Sequence, residues 1–391
     1  MKILFTGGGT GGHIFPIIAI VREIRRVFPL IAKQLQEAER LVRNSEKLEF
    51  YYMGPKDEIS SILLSQEEIK VKRVLTGKIR RYFGFLAILQ NFIDVLFKIP
   101  IGIIQALLYI FFLAPDLIFS KGGYGSIPAV ISGRLLAVPI FLHESDIAPG
   151  LANRFLSRFS LEIFVSFPVR KTEFFSPKKM ISVGNPIRRE VLEGSKEEAK
   201  GTFKLTGEKP IILILGGSQG AQRINDMLLQ VLPQILLNFE IIHQTGLKNF
   251  KEVKAEAGIV ITRELKKYYH PFPFLEETNL SQAYQAADLV VARAGSGTIF
   301  EISALGIPSI LIPLPESAQN HQVKNAYLYA EAGAALVLEE ENLTPHFFFE
   351  RLKYLFSHPE ELEKMRREAK EFSKPRAARV IAEYIGEYLT Q

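Results

Sequence analysis

Four times along this chain a continuous apolar run enters a glycine-rich loop and then a helix-forming segment. The runs are "ILFTGGGTGGH", "DLIFSKGGYGSIPAV", "PIILILGGSQGAQRIN" and "DLVVARAGSGTIFEISALG". A strand that is apolar on both faces belongs inside a parallel sheet covered by helices, so this rhythm restricts the fold to the α/β class. The first and third loops lie roughly 210 residues apart, and each opens its own strand–loop–helix series. Two Rossmann-like domains facing a cleft are expected, residues 1–188 and 189–374, joined at "VGNPIRREVLEGS". A last helix over about 375–391 can pack back on the first domain. The size agrees, because 391 residues with 47% hydrophobic content exceed what one core usually holds. In the first domain a helix from Ile14 to Val27 is expected, then a separate solvated helix in "IAKQLQEAERLVRNSE", with Pro29 between them.

Gly7, Gly9 and Gly12 match the G-x-G-x-x-G pattern of dinucleotide sites. Such a site also needs an acid at the end of the second strand to hold the ribose. Here that strand ends "YYMGP", so no nicotinamide cofactor is expected, and no G-x-x-x-x-G-K-[ST] phosphate loop occurs. Bare backbone at helix N-termini still binds phosphate through N–H groups. Four such loops at the carboxyl ends of two sheets suit a nucleoside diphosphate. Metal is not expected either. The aspartates Asp57, Asp94, Asp116, Asp146, Asp226 and Asp288 contain no D-x-D pair, and the seven histidines lie far apart. The lack of cysteine fits a reducing compartment, and Met1–Phe5 is too short for a signal-peptide core.

Charge is unevenly spread. Residues 1–190 hold 26 Lys and Arg against 16 Asp and Glu, whereas the remainder holds 22 against 26. The densest basic stretch, "KVKRVLTGKIRR", leads straight into "YFGFLAILQNFIDVLFKIPIGIIQALLYIFFLAP". Cations beside bulky apolar residues suit an anionic membrane surface better than nucleic acid. Ile79, Tyr82, Phe83, Leu86 and Leu89 recur at helical spacing and are expected to insert at headgroup depth; the alternative is that they pack into the sheet. The following run, 17 uncharged residues between Lys98 and Asp116, is interrupted by Pro100, Gly102 and Gln105. It is read as a buried crossover helix rather than a membrane span.

The segments "GGGTGGHIFP", "GGYGSIPAV", "HESDIAPGLANR", "VGNPIRREV", "ILGGSQGAQRIN" and "RAGSGTIFEISALGIPSILIPLPESAQNHQVKNA" resemble, in the same order, the MurG family. The likeness runs from Lys2 to about Gly333. It implies a GT-B type glycosyltransferase that moves N-acetylglucosamine from UDP to the 4-hydroxyl of lipid I, with inversion and without metal, giving lipid II for peptidoglycan. The same resemblance makes His13 the general base, an imidazole titrating near neutrality; a capping histidine that orders the loop is the alternative. Glu144 joins it as a catalytic residue. Thr10, Gly11, Gly12, Tyr124, His143, Asp146 and Asn153 are implied as substrate contacts in the first domain. Arg188 and Ser218 are implied at the diphosphate, and Gln219 as a further substrate contact. Leu275 is given the uracil, Ser296, Gly297, Thr298, Ile299 and Phe300 the loop contacts, Glu301 the ribose hydroxyls and Gln322 the sugar. His243 is read as a satisfied strand-end histidine.

Two departures stand out. The family's "HEQN" is "HESD" here, placing a carboxylate, Asp146, where an amide contacts the donor sugar. Residues 29–47 form an insertion or elongated arm. The expected partners are UDP-N-acetylglucosamine, lipid I, an anionic membrane at the cytoplasmic face, and other cell-wall synthesis proteins. Other readings are a related transferase using another lipid such as diacylglycerol, and a silent nucleotide-sugar-binding protein.

Overall fold

Every paired strand among the described residues is parallel, and two sheets repeat one topology. The computed structural model describes residues 1–8, 11–37, 48–78, 80, 84–168, 174–217 and 221–390. The first sheet contains β1 (Lys2–Thr6), β2 (Glu49–Gly54), β3 (Lys70–Arg73), β4 (Leu117–Ser120), β5 (Ile140–Glu144), β6 (Glu162–Val165) and β7 (Met180–Ser182). Its order is β3-β2-β1-β4-β5-β6-β7. The second contains β8 (Ile211–Leu215), β9 (Glu240–Gln244), β10 (Tyr269–Phe272), β11 (Leu289–Ala292), β12 (Ser309–Leu311) and β13 (Ala335–Val337). Its order is β10-β9-β8-β11-β12-β13.

In each sheet the strand order reverses once, between β1 and β4 and between β8 and β11. These four strands are the four apolar runs that lead into glycine loops. Crevices at the carboxyl ends of strands flanking such a reversal are where open α/β sheets bind ligands. The repeated sequence rhythm therefore marks the two switch points.

The chain divides into two compact units, residues 1–188 with 376–391, and residues 189–375. In the first, Ile17, Val21 and Ile24 of helix Gly11–Glu37 pack on Ile3, Phe5 and Phe119 of the sheet. Ile381 and Ile385 of the terminal helix Ala377–Thr390 join that core. Pro29 does not end the first helix as expected; one helix runs through it. A proline inside a helix costs about 3 kcal/mol in isolation. Here the terminal helix supplies compensating packing, and a Cβ on its Gly386 would come within 2.6 Å of the Ile31 side chain. Residues 38–47 of the arm lie outside the described residues.

The crossover from β3 to β4 also departs from expectation. Helix Phe85–Ile93, a π-helical turn Asp94–Lys98 and helix Ile99–Leu113 run on without a break. Instead of being buried, this arm exposes Phe85, Leu86, Leu89, Phe92, Ile104, Leu108, Phe111 and Phe112. It docks beside helix Ile127–Leu135 with Gly102, Ala106 and Ile110 as its buried positions, and its far side is exposed among the described residues. Ile88–Leu113 is long and apolar enough to cross a membrane by length and composition, and 17% of its most apolar stretch is buried.

Candidate functional site

At the first switch point the glycines make room for a side chain. A Cβ on Gly8 would lie 2.9 Å from His13 Nδ1, and one on Gly123 would lie 3.0 Å from His13 Nε2. The imidazole is thus held between two loops, one after β1 and one after β4. Gly122 and Gly123 have φ of 84° and 79°, a left-handed backbone that suits glycine. A Cβ on Gly125 would collide with the Gly7 carbonyl, and one on Gly122 would collide with the Asn153 amide. The Tyr52 hydroxyl is shared between the carbonyls of Gly7 (3.1 Å) and Gly8 (3.2 Å), fixing the loop from below. Gly11 and Gly12 open the first helix, with Gly12 exposed, and half-buried Tyr124 begins a short turn after Gly123. Thr10 lies outside the described residues.

His13 does not titrate near neutrality as expected. Burial among the loops, reinforced by the Lys121 charge, lowers its pKa to about 4. At pH 7 it is neutral and can accept a proton, though as a weaker base than an unperturbed imidazole.

Behind it lies a buried polar cluster. Lys121, next after β4 and 2% exposed, directs Nζ to His143 Nδ1 at 2.8 Å, to Ser145 Oγ, and to Asn185 Oδ1 at 3.4 Å. His143 has no exposed surface, and its Nε2 faces the Gly184 carbonyl at 3.3 Å. Burial, then the Lys121 charge, holds its pKa well below the usual range. Glu144 Oε1 accepts the Asp146 amide at 3.0 Å, while Oε2 accepts Asn153 Nδ2 at 2.7 Å and the Gly150 amide at 3.3 Å. Burial, then Asp146, raises the Glu144 pKa. His143, Glu144 and Asn153 are therefore brought together, but they are enclosed and bonded to protein rather than presented to a ligand. Half-buried Asp146 lies in the field of Lys121, which answers the charge that "HESD" introduces. Arg188 is buried, with its guanidinium 4.1 Å from the Phe15 ring centre.

In the second unit, helix Ser296–Leu305 starts directly after β11 and its loop, so Ser296, Gly297 and Thr298 form its first turn, where N–H groups are unpaired within the helix. Ile299 and Phe300 are core side chains, leaving only their backbone for a ligand. Glu301 is half-buried, and its Oε2 accepts the Tyr284 hydroxyl at 2.9 Å. Arg293 braces the loop through an ion pair with Glu340 and a 3.2 Å bond to the Ile312 carbonyl. The Leu275 side chain is buried, and its amide donates to Gln244 Oε1 at 2.9 Å. Gln244 Nε2 in turn donates to the Gly217 carbonyl at 3.3 Å, tying the loop after β8 to the segment after β10. Gln322 Oε1 accepts the Leu314 amide at 3.0 Å, downstream of Gln319 and Asn320, which both adopt positive φ. Ser218 and Gln219 lie outside the described residues. His243 is fully buried with Nδ1 2.9 Å from Tyr269 Oη and Nε2 3.0 Å from Asn225 Oδ1, a satisfied histidine as expected.

Sequence reasoning missed Lys121, Tyr284 and Gln244. Lys121 carried a signal: a lysine between a largely apolar strand and a glycine loop has little outward path for its ammonium. Tyr284 and Gln244 carried none, because their partners are distant in sequence.

Residues 3–165 match the glycosyltransferase family 28 N-terminal domain, and residues 211–381 match the family 28 C-terminal domain. A UDP-N-acetylglucosamine–N-acetylmuramyl-(pentapeptide) pyrophosphoryl-undecaprenol N-acetylglucosamine transferase of Thermoanaerobacter sp. (strain X514) is 33% identical over 98% of this chain and 99% of its own. The transferase of the same name from Clostridium botulinum (strain Hall) is 36% identical over 91% of each chain. Among solved structures, Acinetobacter baumannii MurG superposes with a TM-score of 0.68 at 26% identity, covering 99% of both chains. A kitacinnamycin glycotransferase, at 15% identity and a TM-score of 0.66, shares the two-domain GT-B fold. With both domains matched in order and relatives above 30% identity over nearly its whole length, the chain belongs to the MurG family of glycosyltransferase family 28.

Proposed function

We propose that this protein transfers N-acetylglucosamine from UDP-N-acetylglucosamine to the 4-hydroxyl of lipid I, forming lipid II. The observation that carries the reading is 33–36% identity to transferases of that name over 91–98% of the chain. The glycine loops at both switch points support it. The acceptor oxygen attacks the anomeric carbon as the bond to the UDP oxygen breaks; UDP leaves with the electron pair, and His13 takes the hydroxyl proton. Helix N-termini and Arg188 meet the diphosphate charge. Glu301, oriented by Tyr284, accepts the ribose hydroxyls, and Gln322 takes the sugar. Ser218, Thr10 and Gln219 keep the diphosphate, donor and substrate-contact roles that the family resemblance implies. Glu144, His143 and Asn153 shape the loop around His13.

The first unit carries the acceptor and meets an anionic membrane as a peripheral protein; the cysteine-free composition suits the cytoplasmic face. The exposed apolar face of 85–113 supports surface binding over spanning. The Leu75 amide donates to Gln105 Oε1 at 2.9 Å, the Ser132 hydroxyl donates to the Ile103 carbonyl at 2.9 Å, and Gly102 lies under the Leu75 carbonyl. One side of the helix is therefore fastened to the domain. Leu86 and Leu89 belong to the exposed face, whereas Ile79, Tyr82 and Phe83 lie outside the described residues. Two nearby cations are neutralised within the fold, Arg80 and Lys98 both pairing with buried Asp94 at 2.8 and 2.5 Å. Transfer of labelled sugar from UDP-N-acetylglucosamine to lipid I, run beside UDP-galactose with diacylglycerol, tests the assignment. Product only in the second pair would overturn it.

A further inference from the structure

We propose that Lys121 is a positioning residue for the transfer, its buried ammonium fixing the loop after β5 and placing a positive charge behind His13. The inference rests on the reading of His13 as the base.

The geometry carries it. The Lys121 amide donates to the Thr6 carbonyl at 2.8 Å, locking its backbone beside the loop that holds His13. A Cβ on Gly7 would lie 3.4 Å from both the Lys121 and His13 Cβ atoms, so the two side chains flank the same glycine. The three hydrogen-bond partners described for Nζ, His143, Ser145 and Asn185, are all neutral. An ammonium donating to His143 Nδ1 leaves the histidine proton on Nε2, which faces the Gly184 carbonyl. That fixes one tautomer and with it the course of residues 143–145. A charge bonded to neutral groups keeps a long-range field in a buried site, and it disfavours a second positive charge nearby.

The surrounding titratable groups are few. Burial lowers the Lys121 pKa to about 8, and Glu144 and Asp146 after β5 act against that, helping to hold its proton while opposing its field. Tyr52 on β2 is kept protonated by burial, Tyr124 follows β4, and Arg188 is stacked on Phe15. After burial itself, the Lys121 charge also lowers the His13 pKa. Anionic diphosphates arriving at the site act in the opposite sense, strengthening the base once substrate is bound.

The test reads the His13 ring by NMR titration in the intact protein, alongside pH–rate profiles, for the unsubstituted form, Lys121→Met, Lys121→Gln and Lys121→Arg. The unsubstituted His13 should titrate well below the ordinary histidine range. Both neutral variants should raise that titration, and the acid limb of kcat, by about one pH unit. Lys121→Arg, which keeps the charge, should leave the titration in place. An ordinary titration in the unsubstituted protein overturns the proposal, as does a folded neutral variant with unshifted His13. Failure of both neutral variants to fold makes Lys121 a structural residue and also overturns it. If His13→Ala retained full turnover while the titration still shifted, the base reading would fail and the Lys121 coupling would stand.

Discussion

At His13, bare backbone makes room for a side chain. His13→Ala should keep UDP affinity and lower turnover by at least ~10²-fold, the usual scale for losing a positioned base. Turnover near that of the parent with saturating substrates would leave only a loop-ordering role. Gly123→Ala tests the steric half of the argument. The new methyl would sit 3.0 Å from His13 Nε2 at a φ of 79°, so turnover should fall while UDP binding to the second unit is spared. Glu301 is held by Tyr284, which sequence spacing could not reveal. Tyr284→Phe should weaken UDP by roughly 0.5–1.5 kcal/mol, and Glu301→Ala by about 1.5–3 kcal/mol for each ribose bond lost. Calorimetry with UDP alone decides, and equal affinities in parent and variants would count against both roles.

At the scale of elements, the arm from Phe85 to Leu113 has two faces with different work. Its docked face uses Gly102, Gln105 and Ala106, small and polar positions within the apolar run Ile99–Leu113. Its outer face presents Leu108 and Phe112, which touch no core. Leu108→Glu with Phe112→Glu should therefore preserve thermal stability and reduce cosedimentation with anionic vesicles, as should rising salt. Turnover on membrane-embedded acceptor should fall, with a short-chain soluble analogue spared. Unchanged vesicle binding would send the search to another surface. The opposite lesson comes from helix Gly11–Glu37, where local chemistry at Pro29 predicts a break and packing against Ala377–Thr390 overrides it.

For the molecule as a whole, buried histidines whose pKa is lowered by burial should weaken the fold toward acid pH. His243 has its pKa lowered to about 3 by burial. The unfolded chain binds a proton there near pH 6.5 and the folded chain does not, so stability from this group is present above about pH 6.5 and lost as pH falls. The loss should approach about 1.4 kcal/mol per pH unit below ~6. Urea unfolding should show a steeper decline between pH 6 and 5 in the parent than in His243→Asn; equal slopes would remove His243 as the cause. In the first unit, Glu144 acts in the reverse direction, since its raised pKa favours the folded state as pH falls, and it partly offsets His143 there.

By itself the sequence determined the α/β class, the parallel sheets and the glycine loops at the strand ends. These follow from apolar continuity along strands and from backbone freedom, both local properties of neighbouring residues. The family likeness was legible too, because its motifs are contiguous. Only the tertiary structure decided that His143, Glu144 and Asn153 turn inward, that Lys121 lies behind His13, and that Tyr284 meets Glu301. It also decided that an apolar crossover stays exposed. Each of these depends on which distant segment arrives beside a given residue, and an apolar helix reads the same in sequence whether it is enclosed or open.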